Sequence, residues 1–417
     1  MAVGQRGEGC SAAGVLARAV AWVEGTAVVT RLLMLSFNRV GKGTYWRALG
    51  FAKELARQHG FEVTLLAVAA GRRWGFSEQQ VDGVRVVESP DLMPRSGYDL
   101  WDALNRMGWV RQRPFDLIHA FENRPVNIFP ALAASRRQQI PLFSDWCDWF
   151  GRGGSVEQRS NPVLRAVLRP IETYFEEHFR PGMAGTTVIN TTLQHKALAL
   201  GIPAERLLLL PNGADTETIR PQARQEVRAK LGLPEDALIL GYTGAMFQED
   251  AVLMAAAFDE IHGRFPRTRL LLIGYSNVAV EEMVYERTAV IRTGPVTYQQ
   301  LADYVAACDA GWLPLADNAA NRGRFPMKVN DFLAAGRPLL VSDVGDLGNF
   351  VQQREVGWVA QAEPSAMSEL VCQHLAARDD FDDVGRHARH FAETELAWSV
   401  VTEKLARFYG EVASGEW

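Results

Sequence analysis

The chain has few cysteines and no long apolar run, and both absences narrow the class of protein. Its 4 cysteines are scattered over 417 residues without C-x-x-C spacing, which argues against a zinc site and against a disulfide scaffold. No uninterrupted apolar stretch reaches about 18 residues, so a membrane-spanning helix is not expected. The net charge of -5 gives no overall attraction to nucleic acid. The scattered cysteines fit a reducing cytoplasm. Because a chain of 417 residues is too long for one ordinary hydrophobic core, we expect two domains.

Two common nucleotide-binding motifs are also missing. A first apolar strand, 31–37, leads into a loop that holds Gly41 and Gly43. The residues around Lys42 do not form a Walker A loop, and Trp46 stands where G-x-G-x-x-G needs its third glycine, which disfavours a dehydrogenase. Two readings of the loop remain open: its glycines let backbone amides approach a bound anion, or they form a tight turn with no ligand.

Short apolar runs alternate with stretches of helical periodicity, which predicts mainly parallel sheets flanked by helices. Ligands of such sheets collect at the carboxyl ends of the strands. Asp145 and Asp148 follow the fourth predicted strand, 140–144. Either carboxylate is a candidate to accept a proton from a hydroxyl, and N-capping of a helix is the alternative for both. His119 lies within an apolar strand and is expected to be a core histidine.

The segment 322–350 carries the strongest pattern in the chain. Val329, Phe332 and Leu333 share one face of a predicted helix, while Lys328 and Asp331 lie on the other. Unpaired backbone amides and the helix dipole at such a start suit an anionic group.

The residues around this helix extend the pattern. Pro326 precedes the first turn and Gly336 ends the helix. Arg324 and Lys328 add two cations at the helix start, which favours a diphosphate. Asp331, about one turn further on, is placed to hold a hydroxyl-bearing neighbour such as a ribose.

Residues 331–340, followed by Ser-Asp-Val-Gly, resemble the donor-binding signature of the retaining GT-B glycosyltransferases, the group that includes sucrose and glycogen synthases. The Pro-Asn-Gly turn at 211–213 also matches. Four features depart from that family. Asp331 replaces the usual Glu, and Gly323 stands where a second Glu is usual. Gly244 opens a turn that lacks the family's Arg and Lys, and the usual His-Asp reads Cys147-Asp148.

The resemblance implies an α/β protein of the GT-B fold, with two doubly wound Rossmann-like domains facing one another across a cleft. It gives 30–211 as an acceptor-binding domain and 212–390 as a nucleotide-sugar-binding domain. Residues 1–29 precede the resemblance, and their mildly apolar stretch, broken by Arg18, is expected to be a disordered or weakly helical extension or the product of an upstream start site. Residues 391–417 would form a C-terminal helix that packs back on the first domain. The implied activity is that of a hexosyltransferase-type enzyme. A sugar passes with retention from a UDP- or GDP-sugar to an acceptor hydroxyl, in glycan, glycolipid or natural-product biosynthesis.

The same resemblance assigns roles to residues. Lys328 and Arg324 would neutralise the departing diphosphate in place of the missing pair, Asp331 would hold the ribose, and Asp145 or Asp148 would serve the acceptor. The donor site would further include Gly41, Gly43, Gly244, Gly294 and Pro326. The nucleotide sugar is then a co-substrate, with no tightly bound cofactor and no metal expected.

Two surface segments complete the pattern. Residues 151–180 are rich in arginine and form either a solvated surface or a patch for an anionic acceptor or membrane. The expected partners are a carbohydrate, lipid-linked or small-molecule acceptor, without nucleic acid, in the cytoplasm or at the inner membrane face.

Asp380 and Asp382 form a literal D-x-D, but within an acidic run that is expected to be solvated surface.

Two other functions stay open. The missing Arg and Lys, Gly323 and the missing histidine fit a binding or scaffold protein of the same fold that has lost catalysis. An epimerase or phosphorylase on this scaffold is the second alternative.

Overall fold

The computed structural model describes residues 29–69, 71, 73–93, 97–376 and 379–414. These residues divide into two compact units. Unit 1 holds the chain through Leu210 together with the residues from Thr402 onward, and unit 2 holds Pro211–Val401. Residues 1–28 of the expected N-terminal extension lie outside the described residues.

Unit 1 is built around one sheet. Its strands are β1 (Arg31–Arg39), β2 (Glu62–Val68), β3 (Ser77–Val81), β4 (Val84–Ser89), β5 (Leu117–Phe121), β6 (Leu142–Trp146), β7 (Gly185–Val188) and β8 (Leu207–Leu209). Its helices before the boundary are α1 (Thr44–His59), α2 (Leu100–Arg111), α3 (Pro125–Gln138), α4 (Pro162–Glu177) and α5 (Thr191–Ala199). Among the described residues the strand order is β3-β4-β2-β1-β5-β6-β7-β8.

The strands of unit 1 are parallel except for β3, which runs antiparallel to β4. The central strands are continuous apolar runs because both faces of a parallel sheet are covered. Leu32, Leu33, Met34 and Leu35 of β1, for example, are all fully buried.

Unit 2 repeats this architecture with a smaller sheet. Its strands are β9 (Leu238–Thr243), β10 (Thr268–Ile273), β11 (Val290–Arg292), β12 (Ala310–Leu313), β13 (Leu339–Ser342) and β14 (Gly357–Ala360). Its helices are α6 (Arg224–Leu231), α7 (Gln248–Arg264), α8 (Tyr298–Ala307), α9 (Ala319–Arg322), α10 (Lys328–Ala334), α11 (Asp346–Gln353), α12 (Pro364–Ala376) and α13 (Asp379–Phe391). The order among the described residues is β11-β10-β9-β12-β13-β14, and all neighbours are parallel. The prediction of two Rossmann-like α/β sheets is confirmed.

The last helix, α14 (Trp398–Ser414), begins in unit 2 and ends in unit 1. Its unit 1 part closes the core at β5 and β6. The Tyr409 hydroxyl lies 2.6 Å from His119 Nδ1, and the Tyr409 and Phe143 rings are 4.8 Å apart. His119 is fully buried, as a core histidine should be, and burial lowers its pKa to about 4.

The strand orders locate the binding edges. In unit 2, β10 and β12 flank β9 on opposite sides, so the chain reverses its direction of winding there. In unit 1 the same reversal occurs at β1, between β2 and β5. Ligands of doubly wound sheets bind outside the carboxyl ends of the strands at such points. These ends lead to the Gly244 turn in unit 2, and to the Gly41–Gly43 loop and Glu122 in unit 1.

Candidate functional site

Three glycines gather where β9, β10 and β11 end. Gly244, Gly274 and Gly294 all have positive φ, at 71°, 84° and 66°, a conformation that other residues adopt only with strain. Gly244 N donates to Ile273 O at 2.8 Å, and Gly274 forms a bridge with Gly294. The backbone therefore turns tightly at this edge, and the glycines place no side chains of their own there.

The Pro-Asn-Gly turn holds the loop that precedes α10. Asn330 Nδ2 donates to the carbonyls of Asn212 and Gly213, at 2.7 and 3.0 Å, and Asn212 Nδ2 donates to Phe325 O at 3.2 Å. A Cβ on Gly213 would collide with the ring of Trp398, so only glycine fits there. The turn thus fixes the chain next to Pro326 and the start of α10.

Lys328 reaches the turn after β9. Its Nζ donates to Ala245 O at 3.1 Å and lies 3.5 Å from the centroid of the Tyr242 ring. Burial, with a smaller contribution from nearby Arg324, lowers the pKa of Lys328 well below its usual range. An anion at this position would favour the charged ammonium.

Arg324 reaches the same turn. Its guanidinium donates to Asp250 Oδ2 at 2.9 Å and lies 4.3 Å from the centroid of the Phe247 ring. Arg324 Nε is buried and has no hydrogen-bond partner among the described residues. The side chain is thus held in place and retains an unsatisfied donor, which is an unfavourable state unless an acceptor binds.

Asp331 of α10 has a second carboxylate, Asp215, as an electrostatic neighbour. Burial, together with the charge of Asp215, raises the pKa of Asp331 to about 7, although the charge of Lys328 acts in the opposite direction. Burial also raises the pKa of Tyr298, with added contributions from Asp331 and Asp215. Unit 2 therefore combines two cations with a carboxylate and hydroxyl cluster, an arrangement suited to an anion that carries neighbouring hydroxyl groups.

In unit 1, contacts within the protein explain why the loop 41–43 contains glycines. Gly41 and Gly43 have φ of 79° and 53°, and a Cβ on Gly43 would lie 2.6 Å from Asn38 Oδ1. That oxygen accepts from the backbone and hydroxyl of Thr44, at 2.8 and 2.5 Å. Asn38 thus caps the start of α1, which requires glycine at 43 whether or not an anion binds.

Asp145 is fully engaged inside the core. Its carboxylate faces Arg47 at 2.8 Å and accepts from Thr187 Oγ1 at 2.5 Å. Burial alone would raise the pKa of Asp145, but the adjacent Arg47 outweighs it and the pKa is lowered. A carboxylate in this state is a weak proton acceptor.

Asp148 is half-buried and follows a turn that Glu122 organises. Glu122 Oε1 accepts from the backbone amides of Cys147 and Asp148, at 2.7 and 3.2 Å, and Oε2 accepts from Arg180 at 2.9 Å. Glu122 itself has φ of 67°, a rare conformation for a residue with a side chain. Of the two acceptor-side candidates, this geometry favours Asp148.

The D-x-D segment is only partly described. Asp382 is exposed and pairs with Arg224 at 2.7 Å, which is an ordinary surface contact. Among the described residues, no group of three or more His, Cys, Asp or Glu side chains is arranged to hold a metal ion.

Several residues of the site escaped prediction from the sequence. Asp250, Asp215 and Tyr298 become neighbours of the predicted cations and of Asp331 only through long-range contacts. Asp215 had a local signal, because it lies two residues after the Pro-Asn-Gly turn and its carboxylate accepts from the backbone amides of Glu217 and Thr218.

Two parallel-sheet units with these turns define a GT-B glycosyltransferase fold, and the family models agree. Residues 42–213 match the model described as glycosyl transferase 4-like domain, and residues 237–377 match glycosyl transferases group 1. The chain belongs to the group 1 glycosyltransferases of the GT-B type.

Relatives with curated names are glycosyltransferases. The chain is 27% identical over 248 residues to a D-inositol 3-phosphate glycosyltransferase of Rhodococcus erythropolis, covering 54% of this chain and 53% of that one. It is 22% identical over 219 residues to a lipopolysaccharide 1,2-N-acetylglucosaminetransferase of Salmonella typhimurium, covering 49% and 56%. The chain thus spans about half the length of the curated relatives it matches.

Solved structures share the fold over nearly the whole chain. Sucrose-phosphate synthase from Thermosynechococcus elongatus superposes with a TM-score of 0.73 at 16% identity, covering 93% of this chain and 100% of that one. HepE from Anabaena, in complex with UDP and glucose, gives 0.66 at 12% identity, covering 91% and 98%.

Proposed function

We propose that this chain is a glycosyltransferase that moves a sugar from a nucleoside-diphosphate sugar to an acceptor hydroxyl, with retention of configuration. The observation that carries the proposal is the convergence of Arg324 and Lys328 on the turn after β9. That turn lacks cations of its own, and a diphosphate in a partly dry site needs countercharge. These two side chains supply it from another loop.

The other groups then take simple roles. Asp331 accepts hydrogen bonds from the hydroxyls of the ribose, and Gly244 and Gly294 shape the backbone around the nucleotide. Catalysis rests on stabilising the negative charge that develops on the leaving diphosphate. The departing phosphate takes the proton of the acceptor hydroxyl, or Asp148 does.

We infer a UDP- or GDP-sugar as the donor, since UDP and glucose are bound by a protein of the same fold. The acceptor we propose is a carbohydrate or a lipid-linked glycan precursor, in the cytoplasm or at the inner face of the membrane. The names of the curated relatives, which act on an inositol phosphate or a lipopolysaccharide, favour this choice.

A thermal-shift screen of the purified full chain against UDP-, GDP-, ADP- and TDP-sugars tests the donor. A ligand that binds the folded state raises the melting temperature by mass action. We expect one nucleotide to do so, and slow release of nucleoside diphosphate to accompany it. Absence of a shift with every nucleotide sugar would contradict the proposal.

One observation favours a second candidate, a binding protein without catalysis. Arg324 is already paired with Asp250, which reduces the countercharge that it offers to a ligand. In that case a nucleotide sugar would raise the melting temperature without any release of nucleoside diphosphate in the presence of acceptors.

A further inference from the structure

Glu122 occupies a strained backbone position directly after β5. Its φ of 67° lies in the left-handed region, which glycine adopts freely and glutamate does not. The neighbouring chain enforces this conformation, because Glu122 N donates to Asp145 O at 3.1 Å and the Glu122 carbonyl accepts from Asn127 Nδ2 at 3.0 Å. Strain of this kind persists only where the surrounding structure fixes it, and it clusters at functional sites. The side chain of Glu122 therefore contributes something that glycine could not.

The Glu122 carboxylate reaches the turn that follows β6. Only 2% of the residue is exposed. Its Oε1 accepts from the backbone amides of Cys147 and Asp148, at 2.7 and 3.2 Å, so one oxygen fixes two successive peptide groups. Burial, together with the charge of Asp148, raises the pKa of Glu122 to about 7, although the charge of Arg180 acts in the opposite direction. The two carboxylates are therefore electrostatic neighbours, and the side chain of Glu122 holds the backbone of Asp148.

Arg180 fixes the other oxygen of the Glu122 carboxylate. Its Nη2 donates to Glu122 Oε2 at 2.9 Å, and its Nη1 donates to Ser144 Oγ and Asp145 O, at 2.7 and 3.1 Å. The sequence predicts the segment 151–180 to be a solvated surface or a patch for an anionic acceptor or membrane, but the Arg180 side chain is fully buried. The described residues contain no helix that is long and apolar enough to cross a membrane. Glu122 cannot turn away from the turn at 147–148 without leaving the Arg180 guanidinium buried and unpaired, which is costly.

We propose that Glu122 is a positioning residue for the reaction, because it holds the turn 147–148 so that the Asp148 carboxylate meets the acceptor hydroxyl. Glu122 acts through Asp148 and does not itself contact the substrate, so this inference rests on the proposed function. Misplacement of a reacting group by about 1 Å can cost about a hundredfold in rate. The strained backbone and the buried carboxylate of Glu122 are then the features that set the geometry of the acceptor side.

Alkylation of Cys147 by iodoacetamide tests the hold on the turn without any substrate. The residue is 6% exposed, and buried thiols are inert. Glu122→Asp keeps the negative charge beside Arg180, and aspartate tolerates a positive φ, but the shorter side chain no longer reaches both amides. We expect Cys147 of the full-length variant to react about tenfold faster than in the wild type, because loss of a buried hydrogen bond favours opening of the turn.

The design of the alkylation experiment keeps it specific. Mass spectrometry of the peptide that contains Cys147 gives the rate at this thiol alone. Because Glu122→Asp retains the charge, a faster reaction reports opening of the turn. Glu172→Asp is the matched control, since Glu172 is also 2% exposed but accepts from Arg159, at 2.7 Å. An unchanged rate at Cys147 in Glu122→Asp, or an equal rise in the control, would overturn the proposal.

Turnover shows whether Glu122 acts through Asp148. Glu122→Asp should lower the release of nucleoside diphosphate by about tenfold and keep the thermal shift with nucleotide sugar, because the donor groups lie in unit 2. In an Asp148→Asn background the same substitution should cost no further turnover, since the effects of residues that act as a unit are not additive.

Two results would contradict this coupling: additive losses in the double variant, or full turnover in Asp148→Asn alone. Absence of turnover in the wild type with every nucleotide sugar contradicts the proposed function instead. The alkylation rates then still decide whether Glu122 holds the turn, so the two failures are distinguishable.

Discussion

Arg324 and Asp250 form an ion pair at 2.9 Å that joins the loop before α10 to the first turn of α7. Asp250 is fully buried, and its Oδ1 also accepts from Ala316 N at 2.9 Å and Asn321 Nδ2 at 2.7 Å. One carboxylate thus anchors the loop at three points. The cation is held in place by the fold before a ligand arrives, which is the condition for effective charge stabilisation.

The anchoring role of Asp250 predicts a large stability loss for Asp250→Asn. The variant leaves a partly buried guanidinium without its countercharge and weakens the buried hydrogen bonds of Asp250, and we expect a loss of about 2–4 kcal/mol in the free energy of unfolding, measured by urea denaturation. Asp317→Asn is the matched control, since Asp317 pairs with Arg322 where the side chains are 47% and 55% exposed. Exposed pairs of this kind contribute little. Equal losses in the two variants would show that Asp250 does not anchor the loop.

Lys328 carries the second prediction. Replacing Lys328 by Ala removes the ammonium that lies against Ala245 O, and we expect turnover to fall by about tenfold to a thousandfold while the fold is retained. The measurement is release of nucleoside diphosphate, with circular dichroism as the check on folding. Lys230→Ala serves as the control, because Lys230 is 66% exposed and pairs with Asp303 on the surface. Unchanged turnover in Lys328→Ala would remove this residue from the site.

The sheets could be predicted because buried parallel strands leave a strong signal in the sequence. Runs such as 31–37 and 238–243 are apolar on both faces, and they form β1 and β9. The strand β3 was missed because Ser77–Val81 is a polar edge strand without that signal. The loop after β3 did carry a sequence signal, because the dipeptide Asp82-Gly83 favours a two-residue hairpin turn. In the structure both residues have the positive φ that such a turn requires, 47° and 83°.

Only the features of the site that depend on local sequence patterns could be predicted. The predicted apolar face of α10 is buried in the structure, where Val329, Phe332 and Leu333 are fully inaccessible to solvent. The partners of the polar residues were not predictable, since Arg324 meets Asp250 across 74 positions and Arg47 meets Asp145 across 98. Such pairs depend on the packing of whole elements, which periodicity does not encode.

Asp145 and Asp148 should respond differently to the same substitution. Asp145→Asn leaves Arg47 buried beside a neutral group, and we expect a stability loss of about 3–5 kcal/mol, measured by denaturant unfolding. Asp148→Asn should leave stability nearly unchanged and lower turnover, provided that Asp148 serves the acceptor hydroxyl. A stable Asp145→Asn protein with lost turnover would reverse the two assignments.

Asp331 should make stability depend on pH in a direction opposite to that of most carboxylates. Its pKa is raised from 3.8 to about 7 by burial and by the charge of Asp215. The folded state therefore binds this proton more tightly than the unfolded chain does, and the free energy of unfolding falls as the pH rises from about 4 to about 7. Asp331→Asn removes this contribution.

Unfolding of both proteins by urea across this pH range measures the difference. The free energy of unfolding of Asp331→Asn, minus that of the wild type, should rise from about pH 4 to about pH 7 and then level off. A constant difference would mean that Asp331 is not perturbed by its surroundings. Because the ionised carboxylate is the form that accepts hydrogen bonds from two hydroxyls, nucleotide-sugar binding by the wild type should strengthen over the same range. Binding by Asp331→Asn should lack that dependence, and the two measurements together separate a buried acid from one that holds the ribose.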